Sequence, residues 1–416
     1  MSSAKAQAME LAAADPCPHR NVPPITECVD PCGDLFLVVG RNKCLQQPCT
    51  AATPLPPHHI RQCKFQVNAE LLAGVSPSFG FILLSPGMQN ERRGSTEWLV
   101  HLPEDDTYAM MVVLLVAHHK TDGGVFTGKS PIDLKLMYDL ARLVEKYDLG
   151  KLLAPWVSRW FRELQSYWVG RKFSATNAED AETMVYIAWA FGHEAIYAYF
   201  ILTIAAQTGV DKTGRLADAA NEQIFTGDVD AVPVPPFAGF EIAHARTGLL
   251  TKIRADMKVT LERHLHGGDA EGAERCQRHD DRDDVAWRKS ILAWFAGTLS
   301  TLQLWPLPPA HFFMISPRAL AESFSKRPNV CAFKHIKIGD KKSCHADGVF
   351  GSRIEQIITT MNIHLSPQTM RELAKRADKS GLAEHLRLTG AAAQRGVWSI
   401  KSVSRFIDFA ARAHKG

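Results

Sequence analysis

The apolar and polar positions between residues 33 and 164 predict a small β-sheet flanked by helices. Asp34–Gly40 holds a continuous apolar run, which is typical of a buried strand. Lys64–Val67 is expected to form the next strand. In Glu97–Leu102 the apolar side chains facing one side fall at alternate positions, which predicts a third strand.

Helical spacing begins directly after the second predicted strand. Asn68 is suited to cap a helix that opens at Ala69, because its side-chain oxygen can accept hydrogen bonds from amides of the first turn. Ser76 and Pro77 lie inside this predicted helix. Four apolar side chains at helical spacing are predicted to form its buried face: Leu71, Leu72, Val75 and Phe79.

Three more helices are predicted before residue 170. Either Asp105 or Asp106 is expected to cap Thr107–His119, which is apolar on nearly all sides and therefore predicts a buried helix. Ser130 at the cap and Pro131 at the first helical position predict the start of the next helix. The apolar stripes of that helix and the one after it comprise Leu134, Met137, Leu140, Val144, Tyr147, Trp156, Trp160, Phe161 and Leu164.

Beyond residue 170, apolar residues recur mainly at helical spacing. Two helices are predicted between 178 and 207, with an interruption near Phe191–His193. A long amphipathic helix is predicted at Glu241–His266, with Leu265 at the end of its apolar side. Further helices are predicted at 285–304, 354–363, 366–386 and 402–413.

These elements predict an α+β protein with two main parts. Residues 1–30 are rich in proline and poor in large apolar side chains, so we interpret them as a flexible segment. Residues 31–168 are predicted to form the sheet with its helices, and the proline-containing stretch near 41–62 is interpreted as a loop insertion. Residues 175–416 are predicted to be mostly helical, either as one region or divided near 267–284.

Composition and charge narrow the classes of function. The 416 residues carry a formal net charge of only +4, with no face visibly loaded with Lys and Arg, so nucleic-acid binding is not expected. The most apolar window, Met184–Ala206, contains His193 and Glu194 near its middle, which favours a buried helix over a membrane span. Because Met1–Ala14 lacks an export signal, an intracellular location in cytoplasm or nucleus is expected, with reduced cysteines.

The order strand, loop, strand, helix, strand, helix, helix, helix over residues 33–164 resembles the BTB/POZ domain. The segments that carry the resemblance are Asp34–Val39, Phe65–Asn68, Leu71–Phe79, Leu102–Asp106 and Leu134–Tyr147. Asn68 stands where many BTB domains carry a histidine, and the loop between the first two strands is longer than usual. The segments that resemble a group of fungal BTB proteins with a helical tail are Glu145–Asp148, Ala154–Trp160 and Trp189–Gly192.

The resemblance implies a non-catalytic protein–protein interaction module, a scaffold or adaptor that homodimerises or binds partners through this domain. Some BTB proteins recruit a cullin scaffold for ubiquitin ligation, so a substrate adaptor for a cullin-type ligase is the alternative. Others act in transcription. No cofactor is expected. The interaction or fold-defining residues are predicted to be Asp34, Phe65, Asn68, Leu72, Ser76, Phe79, Leu102, Asp106, Tyr147, Trp156 and Trp160.

Gly123–Ser130 matches the G-x-x-x-x-G-K-S pattern of a phosphate-binding loop. Such a loop requires a strand before it and a helix whose first turn holds the Lys and the Ser. Pro131 pushes Ser130 away from helical backbone angles, so Ser130 is better suited to an N-cap. A nucleotide-binding enzyme of the P-loop type is therefore the disfavoured alternative.

Closely spaced cysteines and histidines are candidate metal ligands. Cys28-x3-Cys32 and Cys44-x4-Cys49 lack the two-residue gap that is common in zinc sites, which favours scattered thiols, although Cys63 and His58-His59 lie nearby. A second group offers four ligands in a short stretch, and the sequence leaves metal binding there open. That group comprises Cys331, His335, Cys344 and His345.

His193 and Glu194 could form an acid–base pair within an apolar helix. We interpret them instead as a helix break with both side chains turned to solvent. The chain contains neither a G-x-S-x-G elbow nor an H-E-x-x-H motif. The sequence therefore predicts no catalytic, cofactor-binding or metal-binding residues.

Overall fold

The chain divides into two compact units in the computed structural model. One unit comprises residues 1–166 with 376–383, and the other comprises 167–375 with 384–416. The fold is mixed α and β and mainly helical, with a small sheet, in agreement with the predicted α+β class. The structure describes residues 24–41, 62–85, 97–128, 130, 132–168, 178–218, 222–224, 232–266, 281–325, 347–383 and 398–401.

The first unit combines a four-stranded sheet with five α-helices in its described residues. The strands are β1 (Ile25–Cys28), β2 (Leu35–Val39), β3 (Cys63–Val67) and β4 (Leu99–Leu102). The helices are α1 (Ala69–Val75), α2 (Pro77–Leu84), α3 (Thr107–Ala117), α4 (Leu134–Tyr147) and α5 (Gly150–Trp168).

The strands lie in the order β1-β3-β2-β4. β2 runs antiparallel to β3, with Leu37 opposite Phe65, and parallel to β4. The sheet core is formed by the apolar runs that predicted these strands, and Leu37 and Phe65 are both buried. The three predicted strands are therefore confirmed.

β1 lies within the segment interpreted as flexible, so that interpretation is wrong for residues 25–28. It pairs in parallel with β3, with Thr26 opposite Lys64. All four of its side chains are half-buried or exposed. Because backbone hydrogen bonds hold this strand and side-chain burial contributes little, a search for apolar positions could not find it.

The helix predicted to contain Ser76 and Pro77 is two helices, so the single-helix prediction is wrong. Ser76 has an extended backbone (φ −140°, ψ 117°) and separates α1 from α2, while Pro77 occupies the first turn of α2. The ring of a proline disfavours helical angles at the preceding residue, which explains the break. Leu71 is exposed, so its predicted place on the buried face is wrong, whereas Leu72 and Phe79 are buried as predicted.

The start of α4 also differs from the prediction. Asp133 is the N-cap, and its Oδ1 accepts a hydrogen bond of 2.7 Å from the Leu136 amide. Ser130 is exposed and outside the helix, so its predicted capping role is wrong. The Ile132 amide donates to the Glu163 carboxylate of α5 at 3.2 Å, which holds this residue in the connection before the helix.

Residues 376–383 belong to the first unit although they are distant from it in sequence. Arg376 forms an ion pair with Glu145. The Lys379 ammonium lies 2.8 Å from the Asp148 carboxylate, just after the end of α4.

The second unit is mainly helical in its described residues. Its helices are α6 (Ala178–Phe191), α7 (Glu194–Gln207), α8 (Ala238–His266), α9 (Asp281–Thr301), α10 (Pro317–Ser325), α11 (Asp347–Thr360) and the greater part of α12 (Pro367–Lys379). Three phenylalanines from α9, α10 and α11, namely Phe295, Phe324 and Phe350, pack with ring centroids 4.9 Å apart.

The predicted interruption between 178 and 207 is confirmed. Gly192 has a positive φ of 77°, and His193 caps α7 by accepting a hydrogen bond from the Ile196 amide at Nδ1. The interpretation that His193 and Glu194 face solvent is wrong. His193 is buried, and the Glu194 carboxylate accepts a hydrogen bond of 2.5 Å from the Trp398 indole N–H.

Two further details of the second unit differ from the sequence analysis. A short hairpin, β5 (Gly209–Val210) with β6 (Leu216–Ala217), interrupts the region predicted to be mostly helical. Leu265 is exposed at the end of α8, so its predicted place on the buried side is wrong.

Several predictions fall outside the described residues. These are most of the insertion near 41–62, the histidines and cysteines at His58, His59, Cys44 and Cys49, the group Cys331, His335, Cys344 and His345, most of the division near 267–284, and the helix at 402–413.

Candidate interaction surface

Asn68 begins the helical part of the first unit, as predicted. Its Oδ1 accepts hydrogen bonds from the amides of Glu70 and Leu71 at 3.0 and 3.1 Å. The Asp34 carboxylate accepts from the Ala69 amide at 3.1 Å, and His118 Nε2 accepts from the Asn68 amide at 3.0 Å. The first turn of α1 is thus held by side chains from two other elements.

His118 was not identified from the sequence. It is buried at the end of α3, and its Nδ1 lies 2.8 Å from the Leu114 carbonyl oxygen. Since Nε2 accepts from the Asn68 amide, Nδ1 is the nitrogen that donates to the Leu114 carbonyl oxygen. Only the packing of α3 beside Asn68 reveals this role.

Ser76 fixes the turn between α1 and α2. Its buried hydroxyl donates to the Tyr147 carbonyl oxygen at 2.6 Å and accepts from the Phe79 amide at 3.1 Å. The Phe79 and Tyr147 rings stack with centroids 4.4 Å apart and an interplanar angle of 5°. One serine therefore sets the direction of α2 relative to the end of α4.

The Tyr147 hydroxyl extends this contact into a charged network. It donates to the Asp105 carboxylate at 2.5 Å, and the Lys146 ammonium lies 2.6 Å from the same carboxylate. Burial, followed by the hydrogen bond to Asp105, raises the pKa of Tyr147 well above its usual range. The phenol is therefore neutral and acts as a donor. Asp105 serves this network, and Asp106 is the residue that caps α3, which resolves the two predicted alternatives.

Most of the other predicted interaction residues lie in the interior. Trp156 is half-buried, with its ring against Phe126 at 5.5 Å. The fully or largely buried members of the predicted set are Phe65, Leu72, Ser76, Phe79, Leu102, Tyr147 and Trp160. These residues shape the unit and position its surface, and they do not form that surface themselves.

The two most exposed large apolar side chains among the described residues of the first unit lie on α2. Phe81 is 81% exposed and Leu84 is 56% exposed. Pro77, Phe81 and Leu84 follow one another at helical spacings of four and three residues, so they share one side of the helix, which we call the α2 outer face. Phe79 and Leu83 point into the core from the opposite side.

Phe81 and Leu84 were not predicted as surface residues, although the sequence contains a signal for them. Pro77-Ser-Phe-Gly-Phe-Ile-Leu-Leu84 is apolar on nearly all sides. A helix that buries only one side must expose the rest of such a sequence. Which side faces outward was decided by the Ser76 turn.

The loop that matches the phosphate-binding pattern has a different structural context. A helix, α3, precedes it, and Gly124–Phe126 is a short 3-10 helix. The Arg159 guanidinium of α5 donates to the carbonyl oxygens of Val125 and Phe126, each at 2.5 Å. Lys129 lies outside the described residues. The preceding strand and the immediately following helix that phosphate binding requires are not found in the described residues around this loop.

No cluster of three or more potential metal ligands occurs in the part of the chain that the structure describes. Cys28 and Cys32 are exposed and Cys63 is buried.

Within the same described ranges, no helix combines the length and apolar character needed to cross a membrane. No family model, curated protein or solved structure was found to match the chain.

Proposed function

We propose that the chain is a non-catalytic interaction protein that self-associates through its first unit, with the α2 outer face at the contact. The observation that carries the proposal is the exposure of Phe81, of which 81% is accessible to solvent on a helix whose opposite side is buried. Full burial of a phenylalanine or leucine side chain contributes about 1.5–3 kcal/mol. A contact that covers such residues on two copies would be favourable.

The capping contacts make this surface well defined. Asn68 holds the start of α1, and Ser76 holds the start of α2 through two hydrogen bonds. Binding therefore orders little additional backbone, which lowers the entropic cost of association. A two-fold symmetric contact would place the same helix of each copy at the interface.

The prediction of self-association rests on the resemblance to BTB/POZ domains. Two antiparallel strands, two short helices, a strand parallel to the first of that pair and three longer helices follow one another from residue 35 to 168. Under this proposal the second unit presents or receives another partner.

The test is the molar mass of the purified full chain by size-exclusion chromatography with light scattering. We expect twice the monomer mass for the wild-type protein and the monomer mass for Phe81→Asp, because a carboxylate at the contact would lose its water without a partner. Phe240→Asp is the matched control, since Phe240 is also an exposed phenylalanine on a helix (64% exposed) but lies in the second unit.

Circular dichroism of each variant would show that the fold is retained. A wild-type chain that is monomeric at every concentration, or a Phe81→Asp chain that stays dimeric, would contradict the proposal. Loss of the dimer in Phe240→Asp alone would place the contact in the other unit.

Recruitment of a cullin scaffold stays a prediction from the resemblance. A pull-down of purified cullin N-terminal domain by the full chain at low salt is its direct test, and absence of binding would remove it.

A further inference from the structure

Two segments of the second unit share the same proline spacing. Pro233-Val-Pro-Pro236 precedes α8, and Pro306-Leu-Pro-Pro309 follows α9 and the cis peptide bond between Trp305 and Pro306. Both have the pattern P-x-P-P, which contains the P-x-x-P spacing. The two segments serve as connections between helices, so their prolines also end or precede regular structure.

The third residue of each segment is anchored to the protein. Pro235 is buried, and its carbonyl oxygen accepts a hydrogen bond of 3.1 Å from the Ala238 amide. Pro308 is half-buried, and its carbonyl oxygen accepts one of 2.7 Å from the Arg254 guanidinium. The same position thus fixes both segments to the unit.

The outer prolines of each segment face solvent. Pro233, Pro236, Pro306 and Pro309 are all exposed. Pro309 has φ −54° and ψ 148°, close to polyproline II values. With about three residues per turn, a polyproline II segment brings residues three positions apart to the same edge. Pro309 thus has a backbone close to that of a polyproline II ligand, and the two outer prolines of each segment, three positions apart, are both exposed.

Each segment also carries an exposed aromatic side chain at one end. Phe237 follows the first segment and Trp305 precedes the second, and 39% and 47% of these residues are exposed. Each ring adds exposed apolar surface next to the exposed prolines of its segment.

We propose that these two segments are docking sites for a partner domain whose aromatic-lined groove binds polyproline II ligands with P-x-x-P spacing. Such grooves stack aromatic rings against the outer prolines, and the preformed backbone reduces the ordering cost of binding. Neither segment has a Lys or Arg directly beside it in the sequence, and the Arg254 guanidinium is used to hold the Pro308 carbonyl oxygen. Recognition therefore rests on apolar contact, and binding should depend weakly on salt. With two such segments, up to two domains can bind per chain.

The test measures binding of a panel of purified SH3, WW and EVH1 domains to the immobilised full chain by surface plasmon resonance. We expect at least one groove class to bind saturably, with similar affinity at low and high salt. Pro306→Ala with Pro309→Ala, and Pro233→Ala with Pro236→Ala, should each remove one site. The four substitutions together should weaken binding by about tenfold or more.

Pro103→Ala with Pro367→Ala is the matched control, because both prolines are exposed but lie outside any P-x-x-P segment. This variant should bind as the wild type does. Thermal melting of each variant separates lost binding from lost folding. Binding by none of the three groove classes, or binding that survives all four substitutions, would overturn the proposal.

The outcome is independent of the proposed self-association. The proline variants should keep the dimer mass, and Phe81→Asp should keep the binding of the panel domains. Each of the two proposals can therefore be contradicted by these experiments while the other is supported.

Discussion

The two units bury a tyrosine in different ways. In the first unit the Tyr147 hydroxyl donates to Asp105, which also binds Lys146. In the second unit Tyr197 is fully buried, and its hydroxyl has no hydrogen-bond partner among the described residues. Burial raises the pKa of both phenols, with a further increase from Asp105 for Tyr147 and from Glu241 for Tyr197.

The same difference extends to the buried charges. The first unit brings opposite charges together at Asp105 and Lys146. In the second unit, the hydrogen bonds of buried Arg246 go to the carbonyl oxygens of Thr208, Phe313 and Ile315. Burial lowers the pKa of Arg246 to about 10, so the guanidinium is still a cation at neutral pH.

Glu241 is the corresponding buried anion of the second unit. Its carboxylate accepts from the Ser366 amide at 2.9 Å and the Thr369 hydroxyl at 2.8 Å, at the start of α12. Buried Asp105 of the first unit is therefore stabilised by a tyrosine and an exposed lysine together, whereas buried Glu241 and Arg246 of the second unit separately satisfy main-chain or hydroxyl groups. The cost of removing a group should follow the number of partners it leaves unsatisfied.

Replacement of Arg246 should have the largest effect. Arg246→Met leaves three carbonyl oxygens without their donor, and we expect the second unit to lose about 4 kcal/mol of unfolding free energy. Hydrogen exchange measured by mass spectrometry would show faster exchange in α8 and the 302–316 connection. Arg254→Met, which releases only the Pro308 carbonyl, is the control and should cost less. Equal effects would contradict the argument.

Replacement of Asp105 in the first unit should have the second-largest effect on stability. Asp105→Ala leaves the Tyr147 hydroxyl and the Lys146 ammonium without their shared acceptor, and about 2–3 kcal/mol should be lost. The loss should appear as faster exchange in α4 and at the Ser76 turn, with α8 unchanged. Glu104→Ala is the neighbouring control, because Glu104 is exposed and pairs only at the surface with Arg41.

Loss of the Tyr147 hydroxyl should lower the unfolding free energy less than loss of Asp105. The Asp105 carboxylate still binds the Lys146 ammonium when the hydroxyl is absent. Tyr147→Phe should cost about 1–2 kcal/mol. Because the folded state holds the phenol proton more tightly, this stability is fully present below pH ~10 and falls as pH rises further. Urea titrations at pH 8 and 11 should show a smaller alkaline loss for Tyr147→Phe than for the wild type. An unchanged alkaline loss would show that Tyr147 is not the titrating group.

Tyr197→Phe should have the smallest effect and gives the matched comparison. Removing a hydroxyl without a partner takes away a buried polar group at no cost in hydrogen bonds, so stability should change by less than about 0.5 kcal/mol or increase. The measurement is urea unfolding at pH 8 beside Tyr147→Phe. A loss as large as that of Tyr147→Phe would reveal a hydrogen bond that the described contacts do not contain.

Local signals in the sequence correctly predicted most elements near the candidate surface. Asn68 and Asp106 have side chains that satisfy the amides immediately after them, so their capping roles depend only on near neighbours. Errors arose where two local signals compete. Ser130-Pro131 and Asp133 can each begin a helix, and the contact of the Ile132 amide with Glu163 favours the later start. That contact joins residues 31 positions apart and leaves no local pattern.

The candidate surface was predictable only in part for the same reason. The apolar sequence of α2 was visible, but the exposure of Phe81 depends on the break at Ser76 and on the hydrogen bond from its hydroxyl to the distant Tyr147 carbonyl. Similarly, the P-x-P-P segments are plain in the sequence. That their outer prolines face solvent depends on the burial of Pro235 and on Arg254.

The sequence by itself determined the elements whose signals act over a few residues: the apolar strands, the amphipathic helices, the caps and the interruption at Gly192. The tertiary structure alone decided that β1 joins the sheet, that residues 376–383 pack with the first unit, and that Tyr147 and Tyr197 differ in their partners. Each of these depends on backbone pairing or on contacts between residues far apart in the chain. Such contacts are selected by the packing of the whole core, and the residues involved carry no periodic pattern that announces them.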